Sequence, residues 1–167
     1  MKMADASREV YVMVGDGSYL MMAQEIVTSL QEQLKVNILV LDNHGFSSIG
    51  GLSQACGGGG FGTEYRYRGN GNLEGDTMMI DFAANAASLG ACATRVRTTD
   101  ELERALLAAR DHKRTSVIVV ETDINERVPG YESWWDVPIA EVSQTASVAA
   151  ARKAYDQARR KERFFLK

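Results

Sequence analysis

Two turns hold the residues with the clearest chemistry, Gly15-Asp16-Gly17-Ser18 and Asp42-Asn43-His44-Gly45. The first lies between a β-rich run and a helical pattern. Glycines there expose backbone N–H groups, and a helix start favours an anion, so the turn reads as a phosphate cradle. It lacks the Gly-Lys-Ser/Thr of a P-loop and the third glycine of a dinucleotide fingerprint. Asp16 is the odd residue. A carboxylate repels a phosphate unless a cation lies between them, and Mg2+ takes side-chain oxygens together with phosphate oxygens. Asp16 therefore predicts a metal, and the metal predicts a further oxygen ligand. Asn43, 27 residues on, offers a neutral amide oxygen. Gly45 offers a backbone carbonyl with no side chain in the way. Either turn alone reads as an ordinary loop; the two together, at this spacing, favour the metal.

The elements around them explain how the turns would meet. Glu9–Val14 (EVYVMV) reads as a buried strand. Met22, Ile26, Leu30 and Leu34 recur every four residues and predict one helix over about 19–34. Val36–Leu41 is a second strand. Strand, helix and strand of this kind predict a parallel sheet covered by helices on both faces, a three-layer α/β fold. If the two strands are neighbours, their carboxyl ends share one edge of the sheet, where ligands bind in such folds. Farther on, Asp81–Leu89 reads as a helix stopped by Gly90. Cys92–Val96 reads as a short strand, and Thr98 with Glu101 as a capping box opening a helix to about His112. Ser116–Glu121 is a further buried strand, and Ser143–Arg163 a charged, alanine-rich helix. Between them, 46–75 reads as a long glycine-rich active-site loop: eleven of the fifteen glycines fall in Gly45–Gly75. Loops of that length tend to be functional.

Composition sets bounds. The 167 residues predict one domain, 1–167, and 45% hydrophobic residues suffice for a core. A net charge of -3 speaks against a broad nucleic-acid surface. No apolar run is long enough for a membrane span, and the start lacks a signal-peptide core. Cys56 and Cys92 make no disulfide framework. A cytoplasmic location is the expectation.

At Gly15-Asp16-Gly17, followed after 25 to 30 residues by a pair ending in asparagine, the sequence resembles the diphosphate-binding domain of thiamine diphosphate-dependent enzymes. The resemblance implies a thiamine diphosphate-binding fold, with thiamine diphosphate and Mg2+ as cofactors. It implies Asp16, Asn43 and Gly45 as the metal ligands. It also implies diphosphate contacts from Gly17 and Ser18; Gly15, Tyr19, His44 and Phe46 are further candidates for cofactor contact, with core packing the alternative for Phe46. Asp42 stands where the family usually has asparagine, at a position that is not a metal ligand.

Further stretches extend the likeness over nearly the whole chain. They are Val12–Met22, Asp42–Phe46, Ser48–Ser53, Gly60–Thr63, Asp81–Ala86 and Ser133-Trp134-Trp135-Asp136-Val137-Pro138. These are similar to the members that hydrolyse a ring C–C bond of trihydroxycyclohexane-1,2-dione to 5-deoxyglucuronate in myo-inositol breakdown. A cyclic polyol dione is then the implied substrate. The family also has a middle domain and a pyrimidine-binding domain whose glutamate activates the cofactor across a subunit interface. The resemblance therefore implies a C-terminal piece of a larger homo-oligomer, a dimer or tetramer, shortened at its first strand and helix. It implies no catalytic residue in the piece itself and no activity alone. A decarboxylase, an acetolactate-synthase-like carboligase and a non-catalytic diphosphate-binding module are the alternatives. His44 could face cofactor or substrate, or be a polar turn residue. Arg66 and Arg68 could meet the polyol or solvent. Trp134 and Trp135 read as an interface anchor, and Cys56 as incidental.

Overall fold

Four apolar runs become the strands of one parallel sheet: β1 (Tyr11–Gly15), β2 (Asn37–Asp42), β3 (Cys92–Val96) and β4 (Ser116–Glu121). Their order across the sheet is β1-β2-β4-β3. In register, Val14 pairs with Val40 and Val40 with Val119. β1 and β2 are thus neighbours, as the two-turn argument requires. The computed structural model describes residues 1–124, 126 and 137–161. The chain divides into two compact units, Met1–Phe46 with Thr77–Glu126, and Ser47–Asp76 with Arg127–Lys167. Trp134 and Trp135, expected as an interface anchor, lie outside the described residues.

In the first unit the sheet is covered on both faces. Val12, Val14 and Ile38 share a groove with Tyr19, Met22 and Ile26 of helices α1 (Asp16–Met22) and α2 (Glu25–Gln31). On the other face Ile118 and Val96 form a core cluster with Ala109, Leu102, Ala105 and Leu106. Those last four residues lie on helix α5 (Thr99–Asp111). The three-layer α/β expectation holds. Helix α4 (Phe82–Ser88) begins where Asp81 accepts a hydrogen bond from the Ala84 N–H at 2.9 Å. It stops at Gly90, whose φ of +98° suits glycine.

Thr98 caps α5, accepting from the Glu101 N–H at 3.2 Å, an interaction worth about 1 kcal/mol. The returning half of the box lands one residue early, on the Arg97 N–H at 2.8 Å.

Three expectations change. The single helix over 19–34 is two helices, because at Ala23 and Gln24 the ladder slips to i→i−3 bonds (Ile26 to Ala23, 3.1 Å; Val27 to Gln24, 2.9 Å). β1 is not buried: it is an edge strand, and Tyr11 and Met13 are 46% and 69% exposed. Segment 46–75 is not all loop. Its start forms helix α3 (Ser47–Ala55), and its end forms a hairpin. Tyr67 and Gly75 pair through the Gly75 N–H at 2.9 Å, and Gly69 and Asn72 exchange two bonds of 2.8 and 2.9 Å. Between them Asn70 (φ +49°) and Gly71 (φ +85°) make a tight turn with both central residues at positive φ.

α3 and this hairpin belong to the second unit, with helix α6 (Ala146–Arg159). Gly57, at φ +81°, lies under the start of α6: an added Cβ would fall 2.5 Å from the Ser147 carbonyl oxygen. The Ser147 hydroxyl donates to the Gly57 carbonyl at 2.6 Å. Gly57→Ala is expected to destabilise this unit by roughly 2–4 kcal/mol, through both the backbone clash and the positive φ. Hydrogen exchange reads it directly, with α6 amides losing protection while β2 and β4 keep theirs. Unchanged α6 protection would contradict the packing described.

Candidate functional site

The carboxyl ends of β1, β2 and β4 bring the two turns together. Asp16 opens α1 and is fully buried. Its Oδ1 accepts from the Gly17 N–H at 2.9 Å, and its Oδ2 from the Gly45 N–H at 2.9 Å. One carboxylate therefore joins both turns across 29 residues of chain. Burial is the main reason its pKa rises from 3.8 to about 6. The two N–H groups oppose the rise, and the neighbouring Asp42 carboxyl adds to it.

Asp42, almost as buried, holds the second turn. Its Oδ1 accepts from the His44 N–H at 3.3 Å and lies 3.3 Å from His44 Nδ1. Its carbonyl accepts both the N–H and the hydroxyl of Thr122, each at 3.0 Å. His44 sits at φ +61°, a conformation few non-glycine residues adopt. It persists because the turn is held at both ends. Asn43 follows β2 and is partly exposed.

These residues fit a hard divalent cation with a diphosphate. The donor set is carboxylate, amide and backbone carbonyl, all oxygen, as Mg2+ prefers. Asp16 and Asp42 form a desolvated acidic pair, which a cation would stabilise. Among the described residues no group of three His, Cys, Asp or Glu side chains could hold a metal. The expected set needs none, since two of its three members, Asn43 and the Gly45 carbonyl, would offer an amide and a peptide oxygen. In this structure Gly45 reaches Asp16 through its N–H.

The remaining expected contacts divide. Gly15 has open space where a Cβ would stand. Gly17 has the reverse: a Cβ would fall 2.6 Å from the Phe46 ring. Only glycine lets Phe46 lie against the first turn, so Phe46 shapes the site. Ser18 is exposed on α1. The Tyr19 side chain is committed to the core. Its hydroxyl donates to Asn85 Oδ1 at 2.8 Å, and its ring meets Phe82 edge-on at 5.8 Å, so the side chain does not reach the turn.

Two residues at this edge escaped the sequence reading. Thr122 pins the second turn to β4. Glu121 stands opposite Asp42 in the register and pairs with Arg97 and, at 3.4 Å, with Arg95. Arg97 holds its carboxyl below the usual carboxylate range, with smaller help from Arg95 and His44. The signal was there: a charged residue closing an apolar run at the ligand edge of the sheet.

Known proteins share this sequence and fold. Residues 1–120 match the family model for the C-terminal TPP binding domain of thiamine pyrophosphate enzymes. The chain is 47% identical over 152 residues to a 3D-(3,5/4)-trihydroxycyclohexane-1,2-dione hydrolase of Bacillus cereus (strain AH820), covering 90% of this chain and 24% of that protein. A hydrolase of the same name from Bacillus anthracis (strain CDC 684 / NRRL 3495) matches with the same figures: 47%, 90% and 24%. The chain thus spans about a quarter of the length of these relatives.

Among solved structures, the benzoylformate decarboxylase of Polynucleobacter necessarius aligns with a TM-score of 0.61 and 28% identity, over 75% of this chain and 22% of that one. The thiamine diphosphate-dependent 4-hydroxybenzoylformate decarboxylase of Rhodococcus jostii RHA1 aligns with a TM-score of 0.61 and 25% identity, again over 75% and 22%. Asp16 and the turns it joins lie inside the matched region, and the chain belongs to the thiamine pyrophosphate enzymes, in their C-terminal TPP-binding domain family.

Proposed function

We propose that the chain is the magnesium- and diphosphate-binding part of a thiamine diphosphate-dependent hydrolase that opens the ring of trihydroxycyclohexane-1,2-dione. One observation carries the metal site: a buried carboxylate, Asp16, joined to both turns through the Gly17 and Gly45 N–H groups. The substrate rests on the 47% identity to hydrolases named for that dione.

Asp16, Asn43 and the Gly45 carbonyl would hold Mg2+. Gly15, Gly17 and Ser18, at the start of α1, would face the diphosphate, with Phe46 and His44 walling the turn and Tyr19 anchoring α1 in the core. When bound, thiamine diphosphate supplies the carbon nucleophile and electron sink of C–C cleavage. The protein's share is to fix that group and exclude competing reactions. No residue of this chain is assigned the activation of the cofactor. A glutamate on a pyrimidine-binding domain, acting across the interface of a homo-oligomer, would do that.

The purified chain should therefore show no ring-opening turnover of the dione, measured by appearance of 5-deoxyglucuronate with Mg2+ and thiamine diphosphate present. Turnover by the chain alone would sink this division of labour. A decarboxylase is the second reading, favoured by the two structural relatives at 28% and 25% identity. Their likeness is well below that of the hydrolases. Assaying the chain joined to its companion domains with the dione against benzoylformate or pyruvate separates the two.

A further inference from the structure

The second unit contains a cavity of about 410 Å3, walled by the stretch 59–66 on one side and the hairpin residues 72–74 on the other. The backbone builds it. Gly60 (φ +67°) and Gly62 (φ +73°) flank Phe61 and turn its ring outward, 69% exposed, at the mouth. The Arg66 N–H donates to the Glu64 carbonyl at 3.0 Å, a three-residue turn that brings the two side chains together. Arg66 Nε donates to Glu64 Oε2 at 2.6 Å, and Arg66 Nη1 donates to the Gly75 carbonyl at 3.2 Å. The tight turn at Asn70-Gly71 folds the chain back so that Asn72 and Glu74 line the same space. Arg68 is used in the hairpin itself, donating to the Gly71 carbonyl at 2.6 Å.

Hydrogen-bonding capacity remains along its walls, on the half-exposed Glu64 and Arg66 and the exposed Glu74. Among the described residues, Oε1 of Glu64, Nη2 of Arg66 and the carboxylate of Glu74 have no hydrogen-bond partner. That leaves charged acceptors from two carboxylates and a charged donor from one guanidinium, beside a flat apolar ring.

We propose that this cavity binds a small polyhydroxylated ring, and the proposal rests on the polyol-dione reading given above. Vicinal hydroxyls donate to carboxylates in charge-assisted hydrogen bonds and accept from a guanidinium fork. The C–H face of such a ring packs on an aromatic side chain. The volume falls in the range of small-molecule sites. A simple anion does not suit two carboxylates against one guanidinium. An apolar ligand would leave those charged groups without partners.

The test uses the 167-residue chain and myo-inositol as the probe, titrated by NMR. Shifts should centre on the amides of 59–66 and 72–75. Glu64→Gln combined with Glu74→Gln should weaken binding at least tenfold. Arg66→Lys, which keeps the charge but loses the fork, should do so as well. Mg2+-dependent thiamine diphosphate binding should be unchanged in both variants, and unshifted amides of α3 and α6 in the second unit should show that this unit folds. No myo-inositol binding to the unaltered chain, or equal binding by the variants, overturns the proposal. So does a cavity that responds to Mg2+ and not to myo-inositol. Thiamine diphosphate binding is read separately from the polyol titration, so the titration decides the cavity whichever way the cofactor reading falls.

Discussion

Asp16→Ala and Asn43→Ala are each expected to weaken Mg2+-dependent thiamine diphosphate binding by at least about 100-fold, and together to abolish it. Changes to groups that merely support metal ligands cost 10–100-fold, and these two side chains are assigned as ligands themselves. Asp16→Ala should have the larger effect. It removes a ligand and also releases the Gly45 N–H that ties the second turn to the first. Asn43 is partly exposed, so its loss should disturb the fold less than the loss of the fully buried Asp16. Isothermal titration of thiamine diphosphate, with Mg2+ or with EDTA, measures both. Unaltered Mg2+-dependent affinity in the double variant would favour a diphosphate-binding module of another design.

The Mg2+ affinity should also depend steeply on pH below about 6. Asp16 has its pKa raised to about 6, and a metal takes the ionised carboxylate. Below that value, binding must first displace a proton. The apparent affinity should then fall roughly tenfold per pH unit and level off above it.

The sign for stability is the opposite. A carboxyl with a raised pKa stabilises the metal-free fold below its ordinary value of 3.8, and that contribution is lost as pH rises through about 6. A shift of that size corresponds to about 3 kcal/mol, an upper figure. Glu9 and Glu121, whose pKa values are lowered, contribute stability in the reverse sense, lost as pH falls. Thermal shift with Mg2+ and diphosphate against EDTA, across pH 5–8, isolates the Asp16 effect. The stabilisation by the ligand pair should shrink toward pH 5, by up to about 1.4 kcal/mol per pH unit below about 6. A shift constant over that range would mean that Asp16 is not a ligand.

The sheet and its ligand edge were legible because they rest on short-range patterns. SVIVVE has an apolar centre, Val117–Val120, and becomes β4 residue for residue, and Thr98 and Asp81 cap the helices they precede. The exposure of β1 was not legible. EVYVMV has the composition of a buried strand, and whether a strand lies at an edge depends on what pairs with it. The break at Ala23 and Gln24 was hidden because both residues are good helix formers and the apolar spacing runs through them.

In segment 46–75 the density of glycine masked two local signals. One was the helix Ser47–Ala55. The other was Asn70-Gly71, a strong hairpin turn. At the site, the residue types of Asp16, Asn43 and Gly45 could be read. The Gly45 N–H bond to Asp16 and the anchoring of Asp42 by Thr122 could not, since both depend on which strands are neighbours.

Mn2+ in place of Mg2+ tests the central claim most directly, because it broadens NMR signals near the bound metal. With thiamine diphosphate present, substoichiometric Mn2+ should broaden the amides of residues 15–18 and 42–46 first, and the effect should disappear in Asp16→Ala. Broadening centred elsewhere, for example at Glu64 and Glu74, or broadening unchanged by Asp16→Ala, would contradict the account.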